Sequence, residues 1–329
     1  MNMRDSIKGL IASAFLLLAI MKPVLSEEVR VLKESGEDYQ TILKMTKAYY
    51  TAWSYSQMDT VYDQAGVYYS TNPNNVYWDP LPPLGGHRGW GEYKDVIENV
   101  WLPAGMVAAG ILFSHDGSFQ ALRYADVIWT TANCIVHGQY KGGMSRTMPC
   151  RGTQVWTIEK GKWVIAHEHF SATVNPSGKL FKVTEDKKQR SDSNAEFNKL
   201  SDALVSEWSK GSPSTIGDKL NKHYCNELAI RVYMPWAPHD GFQTWSQFEQ
   251  GLSEYVSLTS NKIEITPRGD LEVTKQGDIA WTTGTLNIDF QQLDNTHASG
   301  SGRQTLVWIK KNDKWLVAHE HLSIPMGGE

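Results

Sequence analysis

The sequence carries the same His-Glu-His triplet twice. The first triplet lies within Trp163–Ser171, and the second lies within Trp315–Ser323. An imidazole titrates near neutral pH and can pass protons to and from a ligand. A carboxyl group in apolar surroundings has a raised pKa, which suits it to remove a proton next to a carbonyl. Each triplet is therefore a candidate acid–base site, with these candidate catalytic residues: Glu168, His169, Glu320 and His321.

Only one face of a strand can line a pocket, so the histidines and the glutamate cannot both do so. Side chains alternate along a strand, which puts His169 on one face and Glu168 on the other. A two-residue turn at Lys160-Gly161 would place Thr153 opposite Glu168. A one-residue bulge in either strand would change that pairing. Which face lines the pocket stays open at this point.

A structural interpretation competes with the catalytic one. The triplet recurs unchanged in both copies, and a requirement for packing or for dimer contacts would act equally on both. In this interpretation the histidines hydrogen-bond backbone or serine, and Glu168 pairs with Arg151 across the strands. Arg151 and Arg303 are then ion-pair partners, although a carboxylate ligand would also suit a guanidinium group. His-x-His can supply two metal ligands, but no third is evident, so no metal site is predicted.

The triplets belong to a repeat of an entire domain. A shift of 152 residues aligns Arg151 with Arg303 without a gap, and 11 of the 21 residues from 151 to 171 are identical to their partners. Further upstream the shift is 155 and aligns Trp53 with Trp208. We assign the three-residue difference to one loop, Leu81–Gly89. Repeats of this length indicate duplicated domains, so we predict a first domain over 27–175 (copy one), a linker over 176–194 and a second domain over 195–329 (copy two).

Hydrophobic spacing predicts helices followed by strands in each copy. Apolar residues at helical spacing predict helices over Tyr39–Trp53 and Gly89–Asn99, with a short helix over Asp59–Gln64. Period-two patterns rich in Trp, Val, Thr and Ile then predict strands. In copy one these cover four segments: Met106–Ser114, Phe119–Val136, Met148–Ile158 and Lys162–Ala172. Helices followed by an antiparallel meander are an α+β layout.

These elements, with the signature Arg-x-Thr-x-x-Trp followed by Trp-x-x-x-His-Glu-His-x-Ser, resemble the SnoaL-like and ketosteroid-isomerase-like families of the NTF2-like superfamily. The resemblance covers nearly all of both copies and implies two cystatin-like cones, each with N-terminal helices packed on a strongly bent antiparallel sheet. It also implies a largely apolar pocket and pairing through the sheets, so that the two copies form an intramolecular pseudo-dimer. Further oligomerisation of that pair stays open. The superfamily includes isomerases, cyclases, dehydratases, epoxide hydrolases and non-catalytic domains, so the fold alone does not name a reaction.

The resemblance places the aromatic segment ending at Asp79 beside the pocket. Asp79 is a candidate catalytic residue there, although Asp79-Pro80 is also an ordinary turn-starting pair. Its matched position in copy two is Met234, so copy two cannot use the same group. Candidate ligand-binding residues lie on the same segment, on the strands and at the arginine positions: Tyr77, Trp78, Trp129, Thr131, Asn133, Arg151, Arg303 and Trp281.

The N-terminus has the pattern of a signal peptide. Arg4 and Lys8 precede an apolar run from Leu10 to Met21, and the small-residue positions fit cleavage after Ser26. We therefore predict a secreted or periplasmic protein, with an uncleaved membrane anchor as the alternative and no membrane segment in the mature chain. The formal charge of −4 without basic clusters argues against nucleic acid as a partner.

Three cysteines are compatible with one disulfide in an oxidising compartment. Cys134 and Cys150 flank Lys141-Gly142-Gly143, and a hairpin turn there would place them opposite each other, where they could be bridged. Cys225 would keep a free thiol.

Two functions fit the sequence. The first is an exported protein that binds a small, mostly apolar organic molecule and isomerises, cyclises or dehydrates it by acid–base catalysis. The second is a non-catalytic ligand-binding or assembly protein that uses the same pockets. No Gly-rich phosphate loop or nucleophile elbow is present, so no cofactor is predicted. A third idea, a purely structural envelope protein, predicts pockets filled by their own side chains.

Overall fold

The computed structural model describes residues 29–53, 64–81, 83–114, 118–173, 194–210, 215–227, 231–236 and 238–326. The predicted signal peptide, most of the short helix predicted over 59–64 and nearly all of the predicted linker lie outside these residues. Export and the linker therefore stay predictions. Among the described helices, none combines the length and the hydropathy needed to cross a membrane.

Copy one begins with its helices and continues as strands. Its helices are α1 (Glu37–Trp53) and α2 (Gly89–Val96), and α2 continues as a π-helix over Ile97–Trp101. Its strands are β1 (Arg30–Val31), β2 (Val76–Trp78), β3 (His87–Arg88), β4 (Met106–Ser114), β5 (Gln120–Tyr124), β6 (Val127–Tyr140), β7 (Ser145–Glu159) and β8 (Lys162–Ser171).

Copy two repeats this order. Its helices are α3 (Ala195–Lys210), α4 (Ile216–Asn221) and α5 (Trp245–Thr259). Its strands are β9 (Arg231–Tyr233), β10 (Ser260–Pro267), β11 (Glu272–Gln276), β12 (Ile279–Gln292), β13 (His297–Lys311) and β14 (Lys314–Ser323).

Each copy has the predicted α+β fold, with helices packed on one face of its own sheet. In copy one the strand order is β1-β5-β6-β7-β8-β2-β3, with β4 on the other half of β6. In copy two the order is β10-β12-β13-β14-β9, with β11 also on β12. The long strands form antiparallel meanders, whereas β2 and β9 join β8 and β14 in parallel. The triplet strand of each copy thus lies between the long meander and the short strand that precedes the second main helix.

The predicted helices form because one face of each is apolar at helical spacing. On α1 the buried positions include Ile42, Tyr49 and Trp53, which pack against Trp156 and Phe170 of the sheet. The prediction for this helix is confirmed, with two further residues at its start. The tight turns are confirmed as well: Lys160 and Gly161 have φ of 51° and 77°, and copy two uses the same geometry at Asn312 and Asp313.

One predicted strand is two strands in the structure. The segment predicted over Phe119–Val136 breaks between β5 and β6, where Ala125 has a φ of 49°. The phase of the alternation changes across this two-residue turn: Ala121 and Ile128 both face the helices, whereas Leu122 and Trp129 both face the opposite side of the sheet. The prediction of one continuous strand missed this change of phase.

A bulge sets the register of the triplet strand. Val155 pairs with His167, but Trp156 pairs with Ile165, so one residue of β8 has no partner on β7. Past the bulge, Thr153 pairs with His169 and Gln154 with Glu168. Copy two has the same bulge between Val307 and Trp308. The bulge therefore decides which face each triplet residue occupies.

The loop between β2 and β3 has the same length in both copies, contrary to the prediction from the repeat. Tyr77 pairs with His87 in copy one, and Val232 pairs with Phe242 in copy two. In both loops a glycine with φ near 70° donates to a proline carbonyl three residues earlier: Gly86 to Pro83 and Gly241 to Pro238. The sequence alignment instead matched Gly241 with Gly89, because both are glycines. The length difference lies after the second main helix, between it and β5.

Cys134 and Cys150 are register partners on β6 and β7, as the predicted hairpin requires. Both are buried and both are free thiols in the structure. Their packing against the helices places them on the side of the sheet that faces α1.

The two copies pack together through the sheet faces that point away from the helices. An apolar cluster crosses this interface and contains matched residues of both copies: Val127 and Ile279, Trp129 and Trp281, Val155 and Val307, Ala166 and Ala318. This is the pairing of two domains in one chain that the resemblance implied.

Candidate functional site

Copy one contains an apolar cavity between its helices and its sheet. The space between its walls, counted together with the open solvent at its mouth, is about 600 Å³. Its walls come from α1, the β2–β3 loop, α2 and the meander: Tyr49, Trp53, Asp79, Pro80, Leu81, Tyr93, Trp101, Val136, His137, Gly138, Met148, Glu168 and Phe170. A cavity of this kind, mostly apolar with a few polar groups, suits a small organic ligand.

Glu168 is the buried carboxyl group on the cavity wall. Its Oε2 accepts hydrogen bonds from the Tyr49 hydroxyl at 2.6 Å and from Gln154 Nε2 at 2.7 Å, and its Oε1 accepts one from the Tyr69 hydroxyl at 3.0 Å. Burial raises the pKa of Glu168 to about 7, although the three donors pull that pKa down. Glu168 therefore gains or loses a proton near neutral pH, as a general acid or base must.

Asp79 is the second carboxyl group on the same cavity. Its Oδ2 lies 3.2 Å from His87 Nε2, and the His87 ring stacks on Tyr93 with 4.8 Å between ring centroids. Its Oδ1 accepts a hydrogen bond from the Leu81 backbone N–H at 2.7 Å. Asp79 therefore starts a turn and also lines the cavity, so the structural and the functional interpretation of this residue both apply.

The histidines of the triplets lie in the interface between the copies and not in the cavity. His167 Nδ1 donates to the Val76 carbonyl at 2.6 Å, and its Nε2 lies 2.8 Å from Thr305 Oγ1 of copy two. His169 continues this chain, with its Nδ1 2.9 Å from Thr305 Oγ1 and its Nε2 2.6 Å from Ser323 Oγ. These partners, backbone and serine, are those of the structural interpretation, although the serine belongs to the other copy.

Copy two makes the equivalent series of hydrogen bonds, with the roles of the two copies exchanged. His319 bonds the Arg231 carbonyl at 2.6 Å and Thr153 Oγ1 at 2.8 Å, and His321 bonds Thr153 at 3.0 Å and Ser171 Oγ at 2.7 Å. Because a carbonyl only accepts, each chain runs in one direction with every imidazole neutral and protonated on Nδ1.

His169 and His321 stack at the centre of the interface, with 3.7 Å between ring centroids. Burial lowers the pKa of His167 to about 4 and that of His319 to about 3, and it lowers the pKa of His169 and His321 well below the usual range. These four histidines are therefore neutral near pH 7 and lie away from the cavity. They hold the two copies together.

The two arginines also cross the interface, and the predicted pairing of Arg151 with Glu168 is wrong. Arg151 and Glu168 lie on opposite faces of the sheet because the bulge puts Gln154 beside the glutamate. Arg151 donates to the Met234 carbonyl and, at 3.4 Å, to the Pro238 carbonyl of copy two. Arg303 donates to carbonyls of copy one. Both guanidinium groups therefore bind backbone of the opposite copy in place of a carboxylate.

The remaining predicted ligand-binding residues surround the cavity or lie in the interface. The Tyr77 hydroxyl donates to the Ile165 carbonyl at 3.1 Å, and the Tyr77 ring packs against Tyr69 and Tyr93 behind the cavity wall. Trp78 packs edge-on against His167 and His169.

Three residues on one face of β6, with one partner in copy two, lie on the interface side. Trp129 and Trp281 belong to the interface cluster, and Thr131 shares their face and is buried. Asn133 Nδ2 donates to Asp240 Oδ1 of copy two. Their polar and aromatic character serves contact between the copies.

Copy two has apolar residues at several positions that carry polar side chains in copy one. With the register that the strand pairing gives, Met234 is equivalent to Asp79, Phe242 to His87, and Phe248 to Tyr93. Leu204 is equivalent to Tyr49. Glu320 keeps Gln304 at 2.7 Å and Tyr224 as donors, and burial raises its pKa. Glu320 thus keeps two polar donors, with Tyr224 at the position of Tyr69, but has Leu204 in place of the Tyr49 donor.

Bulky side chains fill the corresponding space in copy two. Trp236 stands where copy one has Leu81, and Phe290 where it has Gly138. The Trp236 ring stacks on Tyr255 with 4.7 Å between centroids and meets Phe290 edge-on at 5.6 Å. A shallow depression lies elsewhere in copy two, beside Asp270 and Gln304. Among the described residues, the side chains of Trp236, Tyr255 and Phe290 therefore occupy in copy two the place of the copy-one cavity.

Sequence reasoning did not assign four residues of this site: Tyr49, Tyr69, His87 and Tyr93. Their signal is the joint replacement of three of them in copy two, which for His87 and Tyr93 is visible only with the loop register that the structure provides. Across the residues that the structure describes, no three His, Cys, Asp or Glu side chains are grouped so as to hold a metal ion.

The helices packed on an antiparallel sheet give each copy the expected NTF2-like, cystatin-like fold. The sequence model of the SnoaL-like domain matches residues 113–175 and 230–327, one segment in each copy. Each copy therefore contains a segment that matches the SnoaL-like model, in agreement with the resemblance drawn from the sequence. A comparison with curated proteins finds no match.

Solved structures similar to this chain each align with one domain's length. A Xanthomonas campestris protein, provisionally described as a calcium/calmodulin-dependent protein kinase II association domain, is 17% identical, with 44% of this chain and 99% of that one covered and a TM-score of 0.38. An NTF2-like protein from Salmonella enterica serovar Typhimurium is 18% identical, with 41% and 93% covered and a TM-score of 0.36. A Streptomyces avermitilis protein, provisionally described as an NTF2-like dehydratase, is 16% identical, with 42% and 100% covered and a TM-score of 0.34.

Proposed function

We propose that copy one binds a small, mostly apolar organic molecule that contains a carbonyl group, and that Glu168 moves a proton on it without a cofactor. The observation that carries this proposal is a buried carboxyl group with a pKa of about 7 on the wall of an apolar cavity. Glu168 is only 1% exposed, and such burial keeps most water from a carboxylate and favours its reaction with weakly acidic C–H bonds.

The proposed chemistry balances within the ligand and two side chains. The Glu168 carboxylate takes a proton from the carbon next to the carbonyl, which leaves an enolate on the ligand and a neutral carboxylic acid on the protein. Return of that proton to a different atom isomerises the ligand. Asp79, hydrogen-bonded to His87, is a second group on the same cavity that can hold or deliver a proton. A pair of such groups at one cavity suits proton transfer between two positions.

Exchange of hydrogen for deuterium tests this proposal directly. The probe is 2-acetylnaphthalene, an apolar fluorescent ketone, whose methyl protons lie next to its carbonyl. Binding is followed by quenching of tryptophan fluorescence, because Trp53 and Trp101 line the cavity. Proton removal is followed in D₂O by the loss of the methyl signal in NMR spectra. We expect wild-type protein to bind the ketone and to accelerate its exchange.

Glu168→Gln keeps the size of the side chain and removes the base. We expect it to lower the exchange rate by about 100-fold or more, with ketone binding little changed. The matched control is Glu320→Gln in copy two, which should leave the exchange rate unchanged. Exchange at the wild-type rate in Glu168→Gln would contradict the assigned base.

A non-catalytic ligand-binding role is the second candidate, and one observation favours it. Both carboxyl groups are already engaged by protein donors: Glu168 by three side chains, and Asp79 by His87 and a backbone N–H. Binding of the ketone by wild-type protein without any acceleration of exchange would select this candidate over catalysis.

A further inference from the structure

The loop between β2 and β3, residues 79–81 and 83–86 in the described chain (the cavity loop), forms one wall of the cavity. Asp79, Pro80 and Leu81 line it directly. The backbone carbonyls of this loop turn away from the cavity and toward copy two. The position of this wall of the proposed binding site therefore depends on the hydrogen-bond donors that copy two supplies to these carbonyls.

Arg303 of copy two binds four carbonyls of the cavity loop. Its Nη1 donates to the Asp79 carbonyl, its Nη2 donates to the Leu81 and Pro83 carbonyls at 2.6 Å each, and its Nε donates to the Leu84 carbonyl at 3.1 Å. The backbone N–H of Met326, also in copy two, donates to the Pro80 carbonyl at 2.8 Å. Carbonyls along most of the loop are thus held by one side chain and one backbone group of the other copy.

The guanidinium group of Arg303 is buried, with 1% of the residue exposed, and no carboxylate forms an ion pair with it among the described residues. Burial lowers its pKa to about 10, so it stays positively charged at neutral pH. A buried cation is costly unless its donors are satisfied, and the cavity loop supplies four acceptors. Any loop conformation that withdraws these carbonyls leaves the charge unsatisfied, which disfavours that conformation.

We infer that Arg303 is a positioning residue that holds the wall of the copy-one cavity from the opposite domain. This inference rests on the proposed ligand-binding function of that cavity and assigns to copy two a role in it. Copy two then takes part in a site whose cavity lies in copy one.

The pseudo-symmetry of the chain supplies a matched control. Arg151 of copy one binds the loop of copy two in the same way, through the Met234 and Pro238 carbonyls. That loop carries Trp236, which fills the core of copy two. Arg151 and Arg303 share residue type, burial and interface position, but only Arg303 holds a cavity wall.

The test compares Arg303→Lys with Arg151→Lys in the full chain. Lysine keeps the charge but lacks the planar fork that reaches several carbonyls at once. We expect Arg303→Lys to weaken binding of 2-acetylnaphthalene by about tenfold, the equivalent of one lost charge-assisted hydrogen bond, and Arg151→Lys to leave it unchanged. Amide hydrogen exchange should rise over 76–88 in Arg303→Lys and over 231–242 in Arg151→Lys.

The exchange measurement separates failure of this inference from failure of the proposed function, because it needs no ligand. Equal binding by Arg303→Lys and the wild type, or unchanged exchange over 76–88, would overturn the positioning role. If wild-type protein does not bind the ketone, the proposed function fails, whereas exchange still decides whether Arg303 holds the loop. If Arg303→Lys does not fold, Met326→Pro removes only the donor to Pro80 at an exposed position, and exchange confined to 76–88 should again rise.

Discussion

Glu168 and His169 are neighbours in the chain, and burial moves their pKa values in opposite directions. Both side chains are almost completely buried. Burial disfavours the charged form of each, which raises the pKa of the acid to about 7 and lowers that of the imidazole. Because they point to opposite faces of β8, one sits on a cavity and the other in an interface. The same triplet thus supplies a titrating group to the site and a neutral one to the contact.

The pKa of Glu168 depends on its tyrosine donors, which gives a prediction for one hydroxyl group. The Tyr49 hydroxyl stabilises the carboxylate, so Tyr49→Phe should raise the pKa of Glu168 further. If Glu168 is the base, the pH midpoint of ketone hydrogen exchange should move from about 7 to about 8 in this variant.

The measurement is the pH–rate profile of that exchange for the wild type and for Tyr49→Phe. Tyr224→Phe, which removes a tyrosine donor to Glu320 in copy two, is the control and should keep the wild-type midpoint. A midpoint that stays or moves to lower pH in Tyr49→Phe would show that this hydroxyl does not stabilise the carboxylate.

At the scale of elements, the sequence predicts what depends on local pattern. Helix α1, the turns at Lys160-Gly161 and Asn312-Asp313, and the final strands follow from helical spacing, positive φ and alternation. The bulge at Val155 does not, because Val155 and Trp156 are ordinary strand residues and only contacts on both faces of the sheet select the pairing. A one-residue shift exchanges the two faces, so the site could not be located from the sequence while that pairing was open.

The loop register illustrates a second limit of sequence reasoning. Matching Gly89 with Gly241 is reasonable by residue type, but positive φ and hydrogen bonding equate Gly241 with Gly86. Only then do His87 and Tyr93 align with Phe242 and Phe248 and reveal that polar residues of copy one are replaced together. Asp79 needed no such correction, because it precedes the misplaced gap.

Gly138 lines the cavity, and the equivalent residue of copy two is Phe290, so a larger side chain at position 138 should fill the cavity. Gly138→Phe introduces on β6 the side chain that copy two carries as Phe290 on β12. We expect the protein to stay folded, since copy two accommodates the same ring, and ketone binding to weaken by more than about tenfold because the ring occupies the ligand's space.

Fluorescence quenching measures the binding, and circular dichroism confirms the fold. Gly138→Ala is the control, because a methyl group leaves most of the cavity open and should change binding little. Wild-type affinity in Gly138→Phe would mean that the ketone binds somewhere other than this cavity.

At the scale of the whole molecule, the interface joins the two domains through two equivalent hydrogen-bond chains made of neutral side chains. Each chain runs from a backbone carbonyl through two histidines and a threonine to a serine of the opposite copy, and a stacked histidine pair lies at the centre. Arg151 and Arg303 lie beside this pair with their positive charges. Protonation of any histidine puts a second N–H against a hydroxyl donor and adds a buried positive charge near the others.

Stability should therefore fall as the pH is lowered from about 6.5 toward 4. The four interface histidines have folded-state pKa values below the unfolded value of about 6.5, so the unfolded chain binds more protons in this range and gains relative to the folded one. Glu168 and Glu320 act in the opposite sense, because their raised pKa values contribute stability that is present below the unfolded value of about 4.5 and lost as the pH rises. Where both glutamates oppose in full, four histidines against two glutamates leave a net loss of about 3 kcal/mol per pH unit.

Urea unfolding at pH 7.5, 6.5, 5.5 and 4.5 measures this dependence through the transition midpoint. The double variant His169→Gln and His321→Gln removes the stacked pair, so it should be less stable than the wild type at pH 7.5 and lose less stability on acidification. A wild-type midpoint that is constant or rises between pH 6.5 and 4.5 would mean that the interface histidines are already protonated in the folded protein. The neutral hydrogen-bond chains would then be incorrect, because each chain needs an imidazole nitrogen that accepts.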